Sequence, residues 1–174
     1  MTSDTRTRIQ DAARELFARK GVQRTSLQEI ADSLGITKPA LYYHFASREA
    51  LVRSIVQPLI DEGEEFVRAQ EADPPTPRGL LEGYFDLHYR HRNETILLLT
   101  ESSTLVELDL IDTVLTWRGR LATLLVGNHA DLQAATRAVV ALGGLQDCTI
   151  HFRDVPADDL REAAVTAALA ALGH

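Results

Sequence analysis

The chain has 174 residues, of which 45% are hydrophobic and 25% charged, and this composition excludes a disordered chain and indicates one large or two small soluble domains. Its net charge of −7 excludes a protein that coats nucleic acid indiscriminately. The charge is unevenly placed, because residues 1–55 hold nine Lys and Arg against six Asp and Glu, so the N-terminal part is basic.

Cysteine content and the distribution of apolar residues indicate the cellular compartment. A single cysteine, Cys148, excludes an intrachain disulfide. The N-terminal sequence Met-Thr-Ser-Asp-Thr-Arg lacks the apolar segment of a signal peptide. The most apolar later stretch, residues 163–172, is far shorter than a membrane span. We therefore expect a cytoplasmic protein that has no membrane partner.

The N-terminal residues predict two amphipathic helices. From about Thr5 to Lys20, apolar residues recur at i, i+3, i+4, i+7 and i+8, which is the period of a helix with one buried side. Ser26 and Glu29, or alternatively Thr25 and Gln28, have the spacing of a capping box, in which each residue satisfies a backbone N–H of the other. A second helix of about two turns is therefore expected to begin here.

A third, shorter helix has an outward side that is aromatic and basic. Gly35 supplies the positive φ that ends the second helix, Thr37 caps the third, and Pro39 falls in the first turn, where a missing N–H costs nothing. The inward side at helical spacing holds Ala40, Leu41 and Phe45. The outward side and the leading end hold Thr37, Lys38, Pro39, Tyr42, Tyr43 and His44. Two short helices joined by a glycine turn after a longer helix predict a helix-turn-helix module.

Five segments in the first third of the chain form a long and specific pattern: Thr25-Ser26-Leu27, Ile30-Ala31, Leu34-Gly35-Ile36-Thr37, Leu41-Tyr42-Tyr43-His44-Phe45 and Ser47-Arg48-Glu49-Ala50-Leu51. The pattern covers about residues 7–55 and resembles the TetR family of transcriptional regulators. This resemblance implies an Ω-shaped homodimer with two N-terminal DNA-binding domains, and a larger C-terminal domain that holds a ligand and the dimer interface. Pro39 stands where many members have glycine, and Arg48 stands where lysine is usual.

The chemistry of the third helix predicts how it contacts DNA. Lys38 can donate to guanine O6 and N7 in the major groove, and the Pro39 ring can pack on a thymine methyl. Tyr43 and His44 are predicted to donate to phosphate oxygens. Two helix N-termini beside this helix also favour anions. The predicted DNA-binding residues are Ser26, Thr37, Lys38, Pro39, Tyr42, Tyr43, His44 and Arg48. The alternative is a packed helical hairpin in which the two tyrosines are core residues.

The helical pattern of the remaining sequence predicts an all-α fold. Together with the resemblance it implies a helix-turn-helix domain at residues 1–46 and a ligand-binding and dimerisation domain at residues 47–174. A fourth helix begins at Ser47, and Pro58 in its interior is expected to kink it or remove a hydrogen bond, as a hinge or as a tolerated surface kink. Further helices are predicted, without strands or repeats, at 78–91, 93–103, 106–126, 130–152 and 157–172.

Apolar and aromatic residues on these helices predict a ligand cavity, which is typically apolar with a few convergent polar groups. The predicted ligand-binding residues are Phe66, Tyr84, Phe85, His88, Leu98, Glu101, Trp117 and Leu121. Each of them separately is more typical of a core position than of a ligand contact. His88 and His91 have a spacing that permits metal binding, but no third ligand follows them, so neither a metal nor a cofactor is predicted.

Small apolar residues on the last two helices predict the dimer interface, because small side chains let helices approach closely. They are Leu132, Ala135, Val139, Val140, Leu142 and Gly143 on the first helix, and Leu160, Ala164, Ala167, Ala168 and Ala171 on the second. An internal hairpin that covers the core is the alternative.

Three functions are compatible with the sequence. The favoured prediction is a repressor that binds palindromic double-stranded operator DNA as a homodimer and is released by a small apolar or amphipathic effector. The second is a constitutive DNA-binding factor with no ligand. The third is an enzyme that uses Cys148 with Asp147 and His151. Because a glycine-rich phosphate loop and a nucleophile elbow are both missing, and residues on one helical turn seldom make a productive nucleophile, we predict that the protein is not an enzyme.

Overall fold

The computed structural model describes residues 2–100 and 110–173, and all regular structure within these ranges is helical. The helices are α1 Thr2–Lys20, α2 Leu27–Leu34, α3 Lys38–His44, α4 Arg48–Ala72, α5 Pro77–Arg90, α6 Arg92–Thr100, α7 Leu110–Val126, α8 Leu132–His151 and α9 Ala157–Leu172. The predicted all-α fold is therefore confirmed. The predicted helices 93–103 and 106–126 extend into residues 101–109, which lie outside the described ranges. Within those ranges, no helix combines the length and hydrophobicity that crossing a membrane requires.

Side-chain caps begin the helices of the N-terminal part as the sequence predicts. Ser26 and Glu29 form the capping box, since the Ser26 hydroxyl accepts from the Glu29 N–H at 3.2 Å and the Glu29 carboxylate accepts from the Ser26 N–H at 2.8 Å. The hydroxyls of Thr37 and Ser47 accept from the N–H three residues further on, at 3.3 and 3.1 Å. Gly35 ends α2 with a φ of 65°. Each cap satisfies a backbone group that the helix itself leaves unpaired.

Pro58 is exposed and lies inside α4, which continues through it from Arg48 to Ala72. Proline has no N–H, so the carbonyl of Ser54, one turn earlier, loses its usual partner within the helix. The side chain of Gln10 in α1 replaces that partner, because its Nε2 donates to the Ser54 carbonyl at 3.2 Å and lies 3.0 Å from the Ser54 hydroxyl. The hydrogen bond that proline removes is thus replaced by a contact between α1 and α4.

One hydrophobic core runs through both parts of the chain. In the N-terminal part, Ile9 of α1, Ile30 of α2 and Leu41 of α3 are fully buried. Each such side chain contributes roughly 1.5–3 kcal/mol relative to leaving it exposed. Buried residues of α4, Leu51 and Ile55 among them, continue the same cluster toward the C-terminal helices. The three N-terminal helices therefore share their core with α4.

The C-terminal helices pack around α5, which contacts α4, α8 and α9. Two glycines let α4 pack closely against its neighbours. A Cβ on Gly63 of α4 would lie only 2.3 Å from the Trp117 ring of α7. Likewise, a Cβ on Gly83 of α5 would lie 2.7 Å from the Phe66 ring of α4. Neither backbone position leaves room for a larger side chain unless the aromatic ring moves.

The last two helices form a hairpin whose two sides differ. The predicted interface residues Leu142, Leu160, Ala164 and Ala168 are buried within the chain. They are core residues here, so the alternative of a hairpin that covers the core is correct for this side. The opposite side exposes Val139, Val140 and Ala167. Small and apolar residues occur on both sides of α8 and α9, so composition alone did not show which side is buried in the core.

Substitution of the two glycines Gly63 and Gly119 by alanine tests the packing of α4 on α7. Gly119 is an exposed helical residue with no atom within 4 Å of an added Cβ. Gly119→Ala should stabilise the protein by about 0.5–1 kcal/mol because alanine loses less backbone entropy. Gly63→Ala should instead destabilise it by about 1–3 kcal/mol, because the added Cβ overlaps the buried Trp117 ring. Thermal unfolding measures both, and a Gly63→Ala variant as stable as Gly119→Ala would contradict the close packing.

Candidate nucleic-acid interface

Helix α3 presents its aromatic side to solvent. Tyr43 is 80% exposed and Tyr42 is 44% exposed, so the alternative in which both tyrosines are core residues is wrong. Leu41 and Phe45 face inward and are buried, as predicted, because residues four apart lie on the same side of a helix. Ala40, which was predicted to face inward, is exposed. Its position lies about 100° around the helix from Leu41, away from the core.

The exposed side of α3 combines positive charge with aromatic surface. The Lys38 ammonium lies 5.7 Å from the centroid of the Tyr42 ring, and within the described ranges no carboxylate pairs with it. The Tyr43 and His44 rings meet edge to face, with centroids 5.2 Å apart. Thr37, Lys38 and Pro39 are all exposed at the leading end of the helix. The structure thus brings the predicted residues of α3 together on one surface, where His44 is half-buried and the others are exposed.

Arg6 of α1 holds the other end of α3, and sequence reasoning missed it. Its Nη1 donates to the carbonyl of His44 at 3.0 Å, and its guanidinium lies 4.4 Å from the centroid of the Phe45 ring. The last carbonyls of a helix have no partner within the helix, so this bond stabilises the end of α3. The contact joins residues 38 positions apart. No local sequence pattern could have indicated it.

Arg48 does not extend freely from the start of α4. Its Nη1 lies 3.3 Å from the Gln23 carbonyl and 3.5 Å from the carbonyls of Val22 and Thr25, and its Nη2 lies 3.4 Å from the Gln23 side-chain oxygen. The guanidinium therefore binds the loop between α1 and α2. The sequence predicted a phosphate contact for Arg48, whereas the structure uses most of its donors to hold the beginning of α2.

Ser26 lies at the N-terminus of α2, where its hydroxyl donates to the Glu29 carboxylate at 2.9 Å. Lys20 pairs with the same carboxylate. The hydrogen bonds from Lys20 and from the backbone and side chain of Ser26 lower the pKa of Glu29 to about 2. A negative charge thus already occupies this helix end, which favours anions. A phosphate can bind Ser26 only if the hydroxyl turns away from Glu29.

The predicted ligand-binding residues lie in the C-terminal core. Five of them, Tyr84, Phe85, His88, Trp117 and Leu121, are buried, and Phe66 is half-buried against the others. The side chain of Leu98 and the whole of Glu101 lie outside the described residues. The five apolar members described all belong to the continuous hydrophobic core, and the buried His88 packs on Tyr84 within it.

Polar atoms within this cluster are only partly satisfied. Tyr84 donates to the Gln146 side-chain oxygen at 3.2 Å, and His88 Nδ1 lies 3.3 Å from the Thr95 hydroxyl. Burial, followed by the charges of Arg118 and His91, lowers the pKa of His88 to about 3, so its ring is neutral. Within the described part of the chain, His88 Nε2 and Trp117 Nε1 are buried without a hydrogen-bond partner. Such atoms cost about 1–3 kcal/mol each and can bind a polar group that enters.

The residues considered for metal binding and catalysis have other roles. His91 Nε2 lies 3.0 Å from the Glu62 carboxylate, whereas His88 contacts Thr95, so the two imidazoles face different partners. Across the described ranges, no group of three or more His, Cys, Asp or Glu side chains could hold a metal ion.

Burial and the neighbouring Asp147 raise the pKa of the Cys148 thiol. A thiol that stays protonated is a poor nucleophile.

Comparison with known proteins identifies the N-terminal part. Residues 9–55, from α1 into α4, match the family model described as bacterial regulatory proteins, tetR family. The HTH-type transcriptional regulator TtgR of Pseudomonas putida is 36% identical over 70 residues, which are 40% of this chain and 33% of TtgR. The matched part of this chain thus spans about a third of the length of that relative.

Similarity to solved structures extends over nearly the whole chain. A transcriptional regulator of the TerR/AcrR family from Aquifex aeolicus has a TM-score of 0.75 at 24% identity, covering 94% of this chain and 96% of that one. A TetR/AcrR-family regulator from Thermobifida fusca has a TM-score of 0.64 at 27% identity, covering 95% and 97%. These similar proteins are transcriptional regulators and not enzymes. Residues 9–55 of this chain are therefore a helix-turn-helix domain of the tetR family of bacterial regulatory proteins, and the chain as a whole resembles regulators of the TetR/AcrR family in fold.

Proposed function

We propose that this chain is a transcriptional repressor that binds a palindromic operator as a homodimer and is released by a small apolar or amphipathic effector. The observation that carries the proposal is the exposed side of α3, where Tyr43 is 80% exposed and Lys38 has no carboxylate partner among the described residues. Aromatic hydroxyls and unpaired cations on an exposed helix are typical of surfaces that contact phosphates and base edges.

In this proposal α3 enters the major groove of double-stranded DNA with its N-terminus leading. Lys38 donates to guanine O6 and N7, beside the Pro39 ring, which packs on a thymine methyl. Tyr43 and His44 donate to phosphate oxygens and set the position of α3 without reading sequence. Thr37 and Tyr42 complete the surface at the two sides of Lys38. The buried anchors of α3 support this arrangement because they leave the whole opposite side available.

Contacts from the flanking helices complete the proposed DNA-binding unit. Ser26 binds a phosphate at the N-terminus of α2 once its hydroxyl turns from Glu29. Arg48 contributes by holding the loop that begins α2, a role supported by its contacts with that loop. We place the domain boundary at Ser47, so that residues 1–46 bind DNA and residues 47–174 bind the effector and the second subunit. The N-cap at Ser47, where α4 begins, supports this boundary.

Substitutions in α3 separate base readout from phosphate binding. Lys38→Ala should change the preference at one base pair by about 1–3 kcal/mol, because it removes a donor to a base edge. Tyr43→Phe should weaken binding to operator and random duplexes alike, because a phosphate contact is independent of sequence. Fluorescence anisotropy with a duplex selected from a random library, and with random DNA, measures both.

Arg68→Ala is the matched control for Lys38→Ala, since it removes one exposed positive charge from α4, away from α3. It should leave both affinities unchanged. If Lys38→Ala lowered the affinity for selected and random DNA by the same factor, the proposed readout by Lys38 would be wrong.

The outer side of the α8–α9 hairpin supports the proposed homodimer. Leu132 is 84% exposed on α8, and Val139 and Val140 of the same helix are also exposed. The facing side of α9 exposes small residues, Ala163, Thr166, Ala167 and Ala170. An apolar surface that continues over two neighbouring helices suits a two-fold interface of four helices, because the same surface meets itself.

Ala167→Glu should convert the dimer to a monomer, because it places two carboxylates near the two-fold axis of an apolar interface. Ala69→Glu is the control, since it makes the same change at an exposed helical position of α4. Sedimentation velocity at micromolar concentration measures the state of each protein. A monomeric wild type, or a dimeric Ala167→Glu variant, would exclude this interface.

The effector is proposed to bind among the predicted residues of the C-terminal core, beside Trp117 and His88. The unpaired Trp117 Nε1 and His88 Nε2 support this location, because a ligand acceptor or donor would satisfy them. Trp117 also contacts Gly63 of α4, the helix that begins beside the proposed DNA-binding unit. Movement of Trp117 by a ligand would therefore displace α4. In the proposed homodimer this displacement would favour a spacing between the α3 helices of the two subunits that does not fit the operator.

Trp117 is the single tryptophan, so its fluorescence reports on effector binding. Uncharged amphipathic compounds that raise the melting temperature should change this emission and weaken operator binding. Saturating operator should weaken effector binding by the same factor, typically about 5–150-fold. Trp117→Phe controls for emission from other sources. If no compound alters both emission and operator affinity, the constitutive DNA-binding factor becomes the better interpretation.

A further inference from the structure

A cleft of about 550 Å³ lies between α1, α4, α6 and the turn that follows α8. Its apolar lining includes Phe17, Ile55 and Leu97, which belong to the continuous core. This volume lies within the range of about 300–1,000 Å³ that is usual for small-molecule sites. The lining residues come from both the N-terminal helices and the C-terminal helices, and none is among the predicted effector contacts. The cleft is therefore separate from the proposed effector site beside Trp117.

The charged residues of the cleft are mostly basic, in a chain whose net charge is −7. Its cations are Arg14, Arg19, Lys20, Arg24 and Arg153, and its carboxylates are Glu15 and Glu94. Arg14 already pairs with Glu94 at 3.1 Å and with Asp11 at 2.8 Å, and Lys20 pairs with Glu29. Outside these pairs, the lining holds three guanidinium groups and one carboxylate, that of Glu15. The cleft keeps a local excess of positive charge.

The remaining guanidinium groups are available for an anion. Arg24 and Arg153 each donate Nε to a nearby backbone carbonyl, at 2.9 and 3.1 Å, which orients the side chain. Within the described residues, no carboxylate pairs with Arg19, Arg24 or Arg153. A guanidinium binds a carboxylate, sulfonate or phosphate through two parallel N–H donors, so the chemistry of this edge is selective for such groups.

We infer that this cleft binds an amphipathic organic anion, with its apolar body against Phe17 and Leu97 and its anionic head at Arg19 and Arg153. The apolar lining supplies the burial of the body, and the two arginines come from different elements, one on α1 and one after α8. A bound anion would therefore bridge the DNA-binding helices and the C-terminal helices. This site is independent of the proposed release by an effector at Trp117.

Calorimetric titration of the full chain, without DNA, with decanoate and with 1-decanol tests the inference. The two probes share an apolar chain and differ in charge, so the cleft should bind decanoate more tightly, whereas an uncharged core site should prefer 1-decanol. The double substitution Arg19→Ala with Arg153→Ala should lower the decanoate affinity about 10–100-fold, because charged hydrogen bonds are lost. Its affinity for 1-decanol should not change.

The control carries Arg68→Ala and Arg137→Ala, which remove two exposed arginines outside the cleft. It should bind decanoate like the wild type. Arg19 and Arg153 are both exposed, so the test variant should fold, and circular dichroism checks this. Decanoate binding no tighter than 1-decanol binding, or equal decanoate affinities of the two double variants, would overturn the assignment.

Discussion

Burial of α4 along its length is the constraint that joins the two parts of this molecule. Its first turns place Leu51 and Ile55 in the core shared with α1, and its later turns bring Gly63 against Trp117. A rigid helix that is packed at both ends transmits displacement, because close-packed contacts do not compress. Gln10 adds a hydrogen bond from α1 to the carbonyl that Pro58 leaves without a partner. The N-terminal helices are therefore joined to the C-terminal part by a packed helix and not by a flexible linker.

The orientation of α3 follows from the same packing. Leu41 and Phe45 insert into the core, so helical geometry directs Tyr42 and Tyr43 outward. Arg6 holds the C-terminal end of α3, and Arg48 holds the loop before α2. Two arginines in the basic part of the chain thus serve to position helices. The number of basic residues in a DNA-binding domain therefore does not give the number of its phosphate contacts.

Close packing and unsatisfied polar atoms coexist in the C-terminal core. Trp117 meets Gly63 with no room for a Cβ, yet its indole N–H has no partner among the described residues. His88 has the same combination of burial and an unpaired nitrogen, and burial keeps its ring neutral. A neutral imidazole and an indole N–H recognise uncharged polar groups. The basic cleft beside α1 offers the opposite chemistry, with guanidinium groups over an apolar lining.

The sequence by itself determined the features that depend on neighbouring residues. The caps at Ser26, Thr37 and Ser47 and the glycine turn at Gly35 are local interactions, so their spacing predicted the helix starts and the module they build. Only the tertiary structure decided which side of α8 and α9 is buried, where the guanidinium groups of Arg6 and Arg48 lie, and that Trp117 packs on Gly63. These outcomes depend on contacts between residues far apart in the chain, and a helical pattern with small residues on both sides is compatible with more than one such arrangement.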